Sequence, residues 1–342
     1  MNTNDLLNYL NRYEMSEDGI YASTSQSGYW SNLDKDQNAK LLDLARSQST
    51  KAAIKKIKPE LTEIIFSESR AVATELLQTK GDETVVDLGC MWGALTIPMA
   101  KSVKTVLGVD QTLESLQFTS LRAAEEGLEN VSFLQADLRS VDLPEKFFDI
   151  ALVNGVLEWI PEIDNVVVSD YVLGSGARRS SDNPQNMQLD FLQRTHRALS
   201  DEGKLFLAIE NRFDFKMFLG FPDPHTNLHF ATILPRAVAN LISRIIKKRQ
   251  YRPWIYSFPG LHRLLRKAGF SRVDLYVCWP NYHFPVFISP YGTKNEFFQP
   301  ASRRRDGKLR LKRIILHEIE KAINQYPVLQ FFAPSIIAVA HK

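Results

Sequence analysis

The sequence predicts an α/β fold of the doubly wound kind: a seven-stranded, mostly parallel sheet with helices on both faces. Two observations carry this. From residue 83 onward, short β-branched runs alternate with segments whose apolar residues recur at helical spacing, the pattern of βαβ units. The first of these runs also passes straight into a turn, Asp87-Leu88-Gly89-Cys90-Met91-Trp92-Gly93. Glycine there lets the chain reverse sharply and lets backbone approach a ligand closely.

In chain order, residues 1–80 read as an N-terminal helical cap, with helical spacing in DLLNYLNRY and LTEIIFSESRAVATELL. A polar stretch containing Tyr29 and Trp30 separates the two. Residues 81–342 read as the main domain. Its strands are expected at 84–88, 105–110, 131–136, 148–154, 204–210, 272–279 and 335–341, with the helices QTLESLQFTSLRAAEEG and FPGLHRLLRKAGF among the segments between them. Two long interruptions, at about 210–256 and 280–334, have the length of functional lids or small subdomains.

Composition narrows the class. Of the 342 residues 44% are hydrophobic, enough for a sizeable core, and a net charge of +3 is too small to imply a nucleic-acid binder by itself. Two cysteines, Cys90 and Cys278, lie far apart with no metal-type spacing. They suggest neither a disulfide framework nor a zinc site. No signal-peptide pattern and no apolar run of membrane-spanning length is visible, so a cytoplasmic protein without a transmembrane segment is expected.

The chemistry-bearing residues fall at the carboxyl ends of the expected strands, where open α/β sheets place their ligands. Asp87 and the Gly89–Gly93 turn follow the first strand, with Cys90 between the glycines. Asp110, followed by Gln111, ends the second strand and can accept hydrogen bonds from two ribose hydroxyls. Asp137, followed by Leu138, ends the third and can accept from an adenine amino group. Asn154 ends the fourth. This Rossmann-like organisation fits either a nicotinamide dinucleotide or S-adenosylmethionine. The acidic Asp87 just ahead of the loop opposes a pyrophosphate, which would favour GxGxxG and a bare helix N-terminus. It suits the ammonium of a methionine moiety.

Across 83–160 these residues resemble the class I S-adenosylmethionine-dependent methyltransferases. A narrower likeness, carried by LFLAIENRFDFKMFLGFPDPHTNLHF, YSFPGLHRLLRKAGF and WPNYHFPVFI, extends over roughly residues 80–290 plus the terminal strand. It is to a bacterial group associated with glycosyltransferases and surface-polysaccharide assembly. Two positions depart from that group: Met91 stands where it has a middle glycine, and Asn281 where it tends to have aspartate. The resemblance implies S-adenosylmethionine as cofactor, a last strand (335–341) running antiparallel beside the fifth, and methylation of an oxygen on a sugar or glycan-like acceptor. It also implies glycosyltransferase partners. RNA or a small metabolite is the alternative acceptor, and a non-catalytic S-adenosylmethionine-binding module the alternative from another class.

A hydroxyl acceptor needs its proton removed. His225, in PDPHTNLHF, is the expected base, although a loop histidine also serves as a structural hydrogen-bonder. Glu210 and Asn211 after the fifth strand, and Glu158 after the fourth, are expected to orient acceptor hydroxyls or else to cap loops. Tyr29 and Trp30 are expected to close over the site or to pack on its surface. His229 lies near His225 but has no third ligand at convincing spacing, so no metal is expected. Two basic stretches, SRIIKKRQYR (243–252) and RRRDGKLRLKR (303–313), fall inside the interruptions and could attract a small anionic acceptor, a membrane surface or RNA. No RNA-stacking aromatic pattern accompanies them, and no DNA binding is expected.

Overall fold

A computed structural model describes residues 3–23, 29–67, 69–161, 166–168, 171–174, 183–294 and 310–342. The chain opens with α1 (Thr3–Leu10), a hairpin of β1 (Glu14–Met15) and β2 (Ile20–Ala22), and β3 (Tyr29–Ser31). Helices α2 (Lys35–Ser47), α3 (Thr50–Ile57), α4 (Leu61–Phe66) and α5 (Ser69–Val72) follow. The alternating part then runs β4 (Thr84–Leu88), α6 (Thr96–Ala100), β5 (Thr105–Asp110), α7 (Leu113–Glu125), β6 (Val131–Gln135) and β7 (Phe148–Asn154). Beyond it come β8 (Val166–Val168), β9 (Tyr171–Gly174), α8 (Pro184–Ala198), β10 (Leu199–Glu210), α9 (Phe215–Phe218), α10 (Arg236–Lys247) and α11 (Phe258–Ala268). The chain ends with β11 (Arg272–Trp279), β12 (Phe287–Pro290), α12 (Arg310–Gln325) and β13 (Ser335–His341).

Among the described residues the main sheet has ten strands, in the order β1-β2-β6-β5-β4-β7-β10-β13-β11-β12, rather than the expected seven. The central strands are parallel, and β13 lies antiparallel between β10 and β11. The three additional strands sit at the two edges: β2 runs parallel to β6 with β1 outside it, and β12 pairs with β11. The first 80 residues are therefore not wholly helical. Their β3 also belongs to a second, three-stranded sheet with β9 and β8.

Strand β4 shows why the centre forms. All five of its residues, Thr-Val-Val-Asp-Leu, are buried, as expected of a parallel strand covered on both faces. One covering layer is made by α8 and α11. Asn183 caps α8, and Ser257 caps α11, which ends on Gly269 in the left-handed region. Phe191, Leu192, Phe258, Leu261 and Leu265 carry the apolar faces of these helices into the core with Phe148 and Leu207. Elsewhere α2, α3 and α4 pack Leu41, Ile54, Leu61 and Ile65 against Trp92 and Phe118. The N-terminal helices thus lean on the glycine turn itself. Among the described residues no helix is long and apolar enough to cross a membrane.

Candidate active site

At the carboxyl ends of β4, β5, β6, β7 and β10 lies a cavity of about 240 Å³. Its first wall is the turn after β4. Asp87 is buried and its Oδ2 accepts from Thr96 Oγ1 at 2.6 Å. Gly89 has φ +83°, and a Cβ there would stand 2.4 Å from Val156 Cγ2, so the turn needs glycine on both steric and conformational grounds. Met91, in place of the resembling group's glycine, adopts φ +44°. This left-handed conformation is unfavourable for a residue with a Cβ. The strain is held by Asp110, whose Oδ2 accepts from Met91 N at 2.9 Å.

Asp110 Oδ1 accepts from Thr112 N at 2.9 Å. Each carboxylate oxygen can accept more than one hydrogen bond, so capacity remains on the cavity side for ribose hydroxyls. Burial pushes both Asp87 and Asp110 up to about 6. Gln111, Leu138 and Cys90 also line the cavity. Asp137 does too, but it is chelated by Arg139, with Nε at 2.9 Å and Nη2 at 2.6 Å. Burial works against its ionisation, yet the Arg139 bonds hold its carboxyl below the usual range. Arg139 was not foreseen, because one arginine after a strand carries no sequence signal.

The wall opposite is Asn154, Gly155 and Val156. With its amide oriented to present oxygen, Asn154 accepts from Arg70 Nη2 at 2.7 Å and Nε at 3.1 Å. Leu61, Ile64, Ile65 and Arg70, from the N-terminal helices, complete this end.

The far end gathers residues expected for separate roles. His225 is buried, with Nδ1 2.9 Å from Asp223 Oδ1, and Nε2 3.5 Å from Glu210 Oε2 and 4.0 Å from Glu158 Oε1. Asp223 is itself fixed by Thr226 Oγ1 at 2.5 Å and Tyr251 Oη at 3.0 Å. Tyr282 Oη donates to Glu210 Oε1 at 3.0 Å. Burial opposes a charge on His225, but Glu210 and Asp223 together raise its pKa well above the usual value. Burial, reinforced by the Glu210 charge, lifts Glu158 to about 8. Burial also acts to raise Glu210, and the His225 charge overrides it and holds Glu210 low. His225 is therefore drawn towards its charged form and Glu210, which faces the cavity, towards its ionised form, each by the other. Asp223 and Tyr282 were missed by sequence reasoning. The Pro-Asp-Pro-His spacing was the available signal for Asp223.

One expected site residue lies elsewhere. Asn211 is buried, donates from Nδ2 to Phe331 O and Ala333 O, and does not line the cavity. Its amide ties β10 to the segment before β13. The side chains of Tyr29 and Trp30 lie outside the described residues, although their backbone pairs with β9. His229 is exposed, with Nδ1 2.8 Å from Gly220 O. Most of the basic stretch 303–313 lies outside the described residues, whereas 243–247 closes α10.

Residues 85–172 match the family model described as a methyltransferase domain. Similar curated proteins include the 23S rRNA (uracil(1939)-C(5))-methyltransferase RlmD of Shewanella sediminis, 33% identical over 96 residues, which are 28% of this chain and 19% of that protein. An uncharacterized RNA methyltransferase of Clostridium tetani is 27% identical over 122 residues, covering 31% of this chain and 26% of that one. The chain thus spans only a minor part of these relatives' length. Similar solved structures include an S-adenosylmethionine-dependent methyltransferase from Mesorhizobium loti, at 16% identity and TM-score 0.43, covering 82% of this chain and all of that one. A second, from Archaeoglobus fulgidus, has 14% identity and the same TM-score of 0.43 over 82% of this chain and 97% of its own. Likeness at that level carries no weight.

Residues 85–172 match a methyltransferase domain, whose cofactor is S-adenosylmethionine. The residues present fit that group: a Cβ-free approach at Gly89, buried carboxylates at Asp87 and Asp110, and a cavity continuous from them to Glu210.

Proposed function

We propose that the whole chain is an S-adenosylmethionine-dependent O-methyltransferase whose acceptor is a sugar or glycan-like molecule, with Glu210 as the base. The carrying observation is the chain of contacts Asp223–His225–Glu210 opening onto the cavity beside Asn154–Val156. Asp87 and the backbone of Gly89 would hold the methionine end of the cofactor, and Asp110 its ribose. When bound, the cofactor supplies an electrophilic methyl group. The domain's own work is then alignment and proton removal. Glu210 accepts the acceptor's hydroxyl proton. His225, itself anchored by Asp223, favours the ionised form of Glu210 and keeps it pointed at the cavity. Tyr282 fixes the second oxygen of the same carboxylate. In this reading His225 positions the base and is not the base itself.

An oxygen acceptor also suits the two thiols. Cys90 and Cys278 are both buried, and burial pushes both up, so neither offers a thiolate nucleophile. The glycosyltransferase association of the resembling group supports a sugar acceptor supplied by such a partner. A second reading, an RNA acceptor, is favoured by the names of the curated relatives. Labelled cofactor incubated with a glycan fraction and an RNA fraction separates the two. Label in the glycan is expected, lost by about 10²–10⁴ in Glu210→Gln, the range for removing a general base. Label in the RNA alone would overturn the acceptor assignment.

A further inference from the structure

We propose that Glu158, Glu210 and His225 form the binding site for one divalent transition-metal cation, Mn²⁺ or Zn²⁺, at the acceptor end of the cavity. One ligand atom from each of the three residues lies within 4.8 Å of the others. Two ligands bonded to one metal at about 2.1 Å in tetrahedral arrangement stand ~3.4 Å apart. The 3.5 Å from His225 Nε2 to Glu210 Oε2 matches this, and the 4.0 Å to Glu158 Oε1 needs only a small approach.

The side chains are also set up as ligands. Glu158 is fully buried, and neither of its carboxylate oxygens has a donor in good hydrogen-bond geometry; Glu210 Oε2 has only His225 Nε2 beside it, at 3.5 Å. The nearby Tyr282 hydroxyl donates to Glu210 Oε1. Buried carboxylate oxygens without well-placed donors are costly, and three of the four among the described residues belong to this one cluster, the other being Glu320 Oε2. Asp223 supplies the outer contact. By accepting from His225 Nδ1 at 2.9 Å it fixes the orientation in which Nε2 faces the two glutamates, the carboxylate–histidine–metal arrangement; the cation takes the place of the Nε2 proton, which is released on binding. One imidazole nitrogen and two carboxylates suit a borderline cation better than Mg²⁺ or Ca²⁺, which prefer all-oxygen sites.

Three protein ligands leave positions open, and Glu210 and His225 line the cavity, so an acceptor hydroxyl can reach the cation. A cation there lowers the pKa of a coordinated hydroxyl, whose proton then leaves to Glu210 Oε1. Metal binding itself does not depend on the proposed acceptor.

The test uses the full chain, stripped with EDTA and titrated with Mn²⁺, with the signal of free Mn²⁺ followed by electron paramagnetic resonance. One Mn²⁺ per chain is expected. Glu158→Gln and Asp223→Asn should each weaken binding at least tenfold, the effect of losing a ligand or its outer contact, while the exposed His229→Gln leaves it unchanged. X-ray absorption of the Zn²⁺-loaded wild type checks the site without any variant. Imidazole and carboxylate ligands at about 2.0–2.2 Å, with no sulfur, are expected. No stoichiometric binding, equal binding by Glu158→Gln, or a shell without imidazole would overturn the site. Methyl transfer that persists in EDTA in a chain that binds no Mn²⁺ removes the cation and leaves the methyl-transfer reading standing.

Discussion

Asp110 holds the strained Met91 turn and faces the cofactor end of the cavity with the same carboxylate. Its pKa of about 6, like that of Asp87, lies above the value near 3.9 of the unfolded chain. The folded chain therefore binds more protons than the unfolded one between about pH 4 and pH 6. Their contribution to stability falls as pH rises through that window. Cofactor binding runs the opposite way, because ribose hydroxyls bond best to an ionised carboxylate. The dissociation constant for S-adenosylmethionine should rise as pH drops through about 6, as calorimetry at pH 5 and 7.5 would record; a flat profile would contradict this use of Asp110. Asp87, Gly89 and Asp110 were legible in the sequence because strand-end position alone assigns them a role. The Asp223–His225–Glu210 contacts were not, since a segment of 45 residues separates Glu210 from Tyr256 and no spacing rule says which of its side chains turns inward.

At the scale of elements, the seven long strands were readable from their β-branched runs, and each is found. The edge strands β1, β2 and β12, and the small sheet of β3, β8 and β9, have two to four residues each. That is too short for an alternation pattern to rise above the surrounding loop. The turn after β7 links two elements of the site. Gly155 has φ +68°, and a Cβ there would lie 2.6 Å from Tyr282 Oη. Gly155→Ala should therefore push Tyr282 off Glu210 and add strain of about 1 kcal/mol. Turnover should drop at least tenfold while cofactor affinity changes less than twofold. Equal losses in both would mean that the turn serves the cofactor rather than the base.

For the whole molecule, the N-terminal helices are part of the site. Leu61, Ile64, Ile65 and Arg70 line the cavity, and Trp92, in the glycine turn, packs edge-on to Phe118 at 5.3 Å with Nε1 3.3 Å from Asn32 Oδ1. Reading residues 1–80 as a cap foresaw helices but not this contact, because the apolar faces of α2–α4 look like any core-facing faces. Trp92→Ala should cost about 3–5 kcal/mol, the range for emptying a buried aromatic site. It should also weaken the cofactor site, which saturating S-adenosylmethionine would partly restore in a thermal melt. Normal stability would mean that the helices are not joined to the domain through this residue.

The central claim is that the cavity at the ends of β4, β5 and β7 binds S-adenosylmethionine through Asp110. Isothermal titration of the cofactor into wild type and Asp110→Ala tests it most directly. Stoichiometric binding by wild type, weakened by roughly 2–4 kcal/mol in a folded Asp110→Ala chain, is the expected result, since hydrogen bonds to a charged group contribute about 1.5–3 kcal/mol each. Unchanged affinity in the folded variant would contradict it.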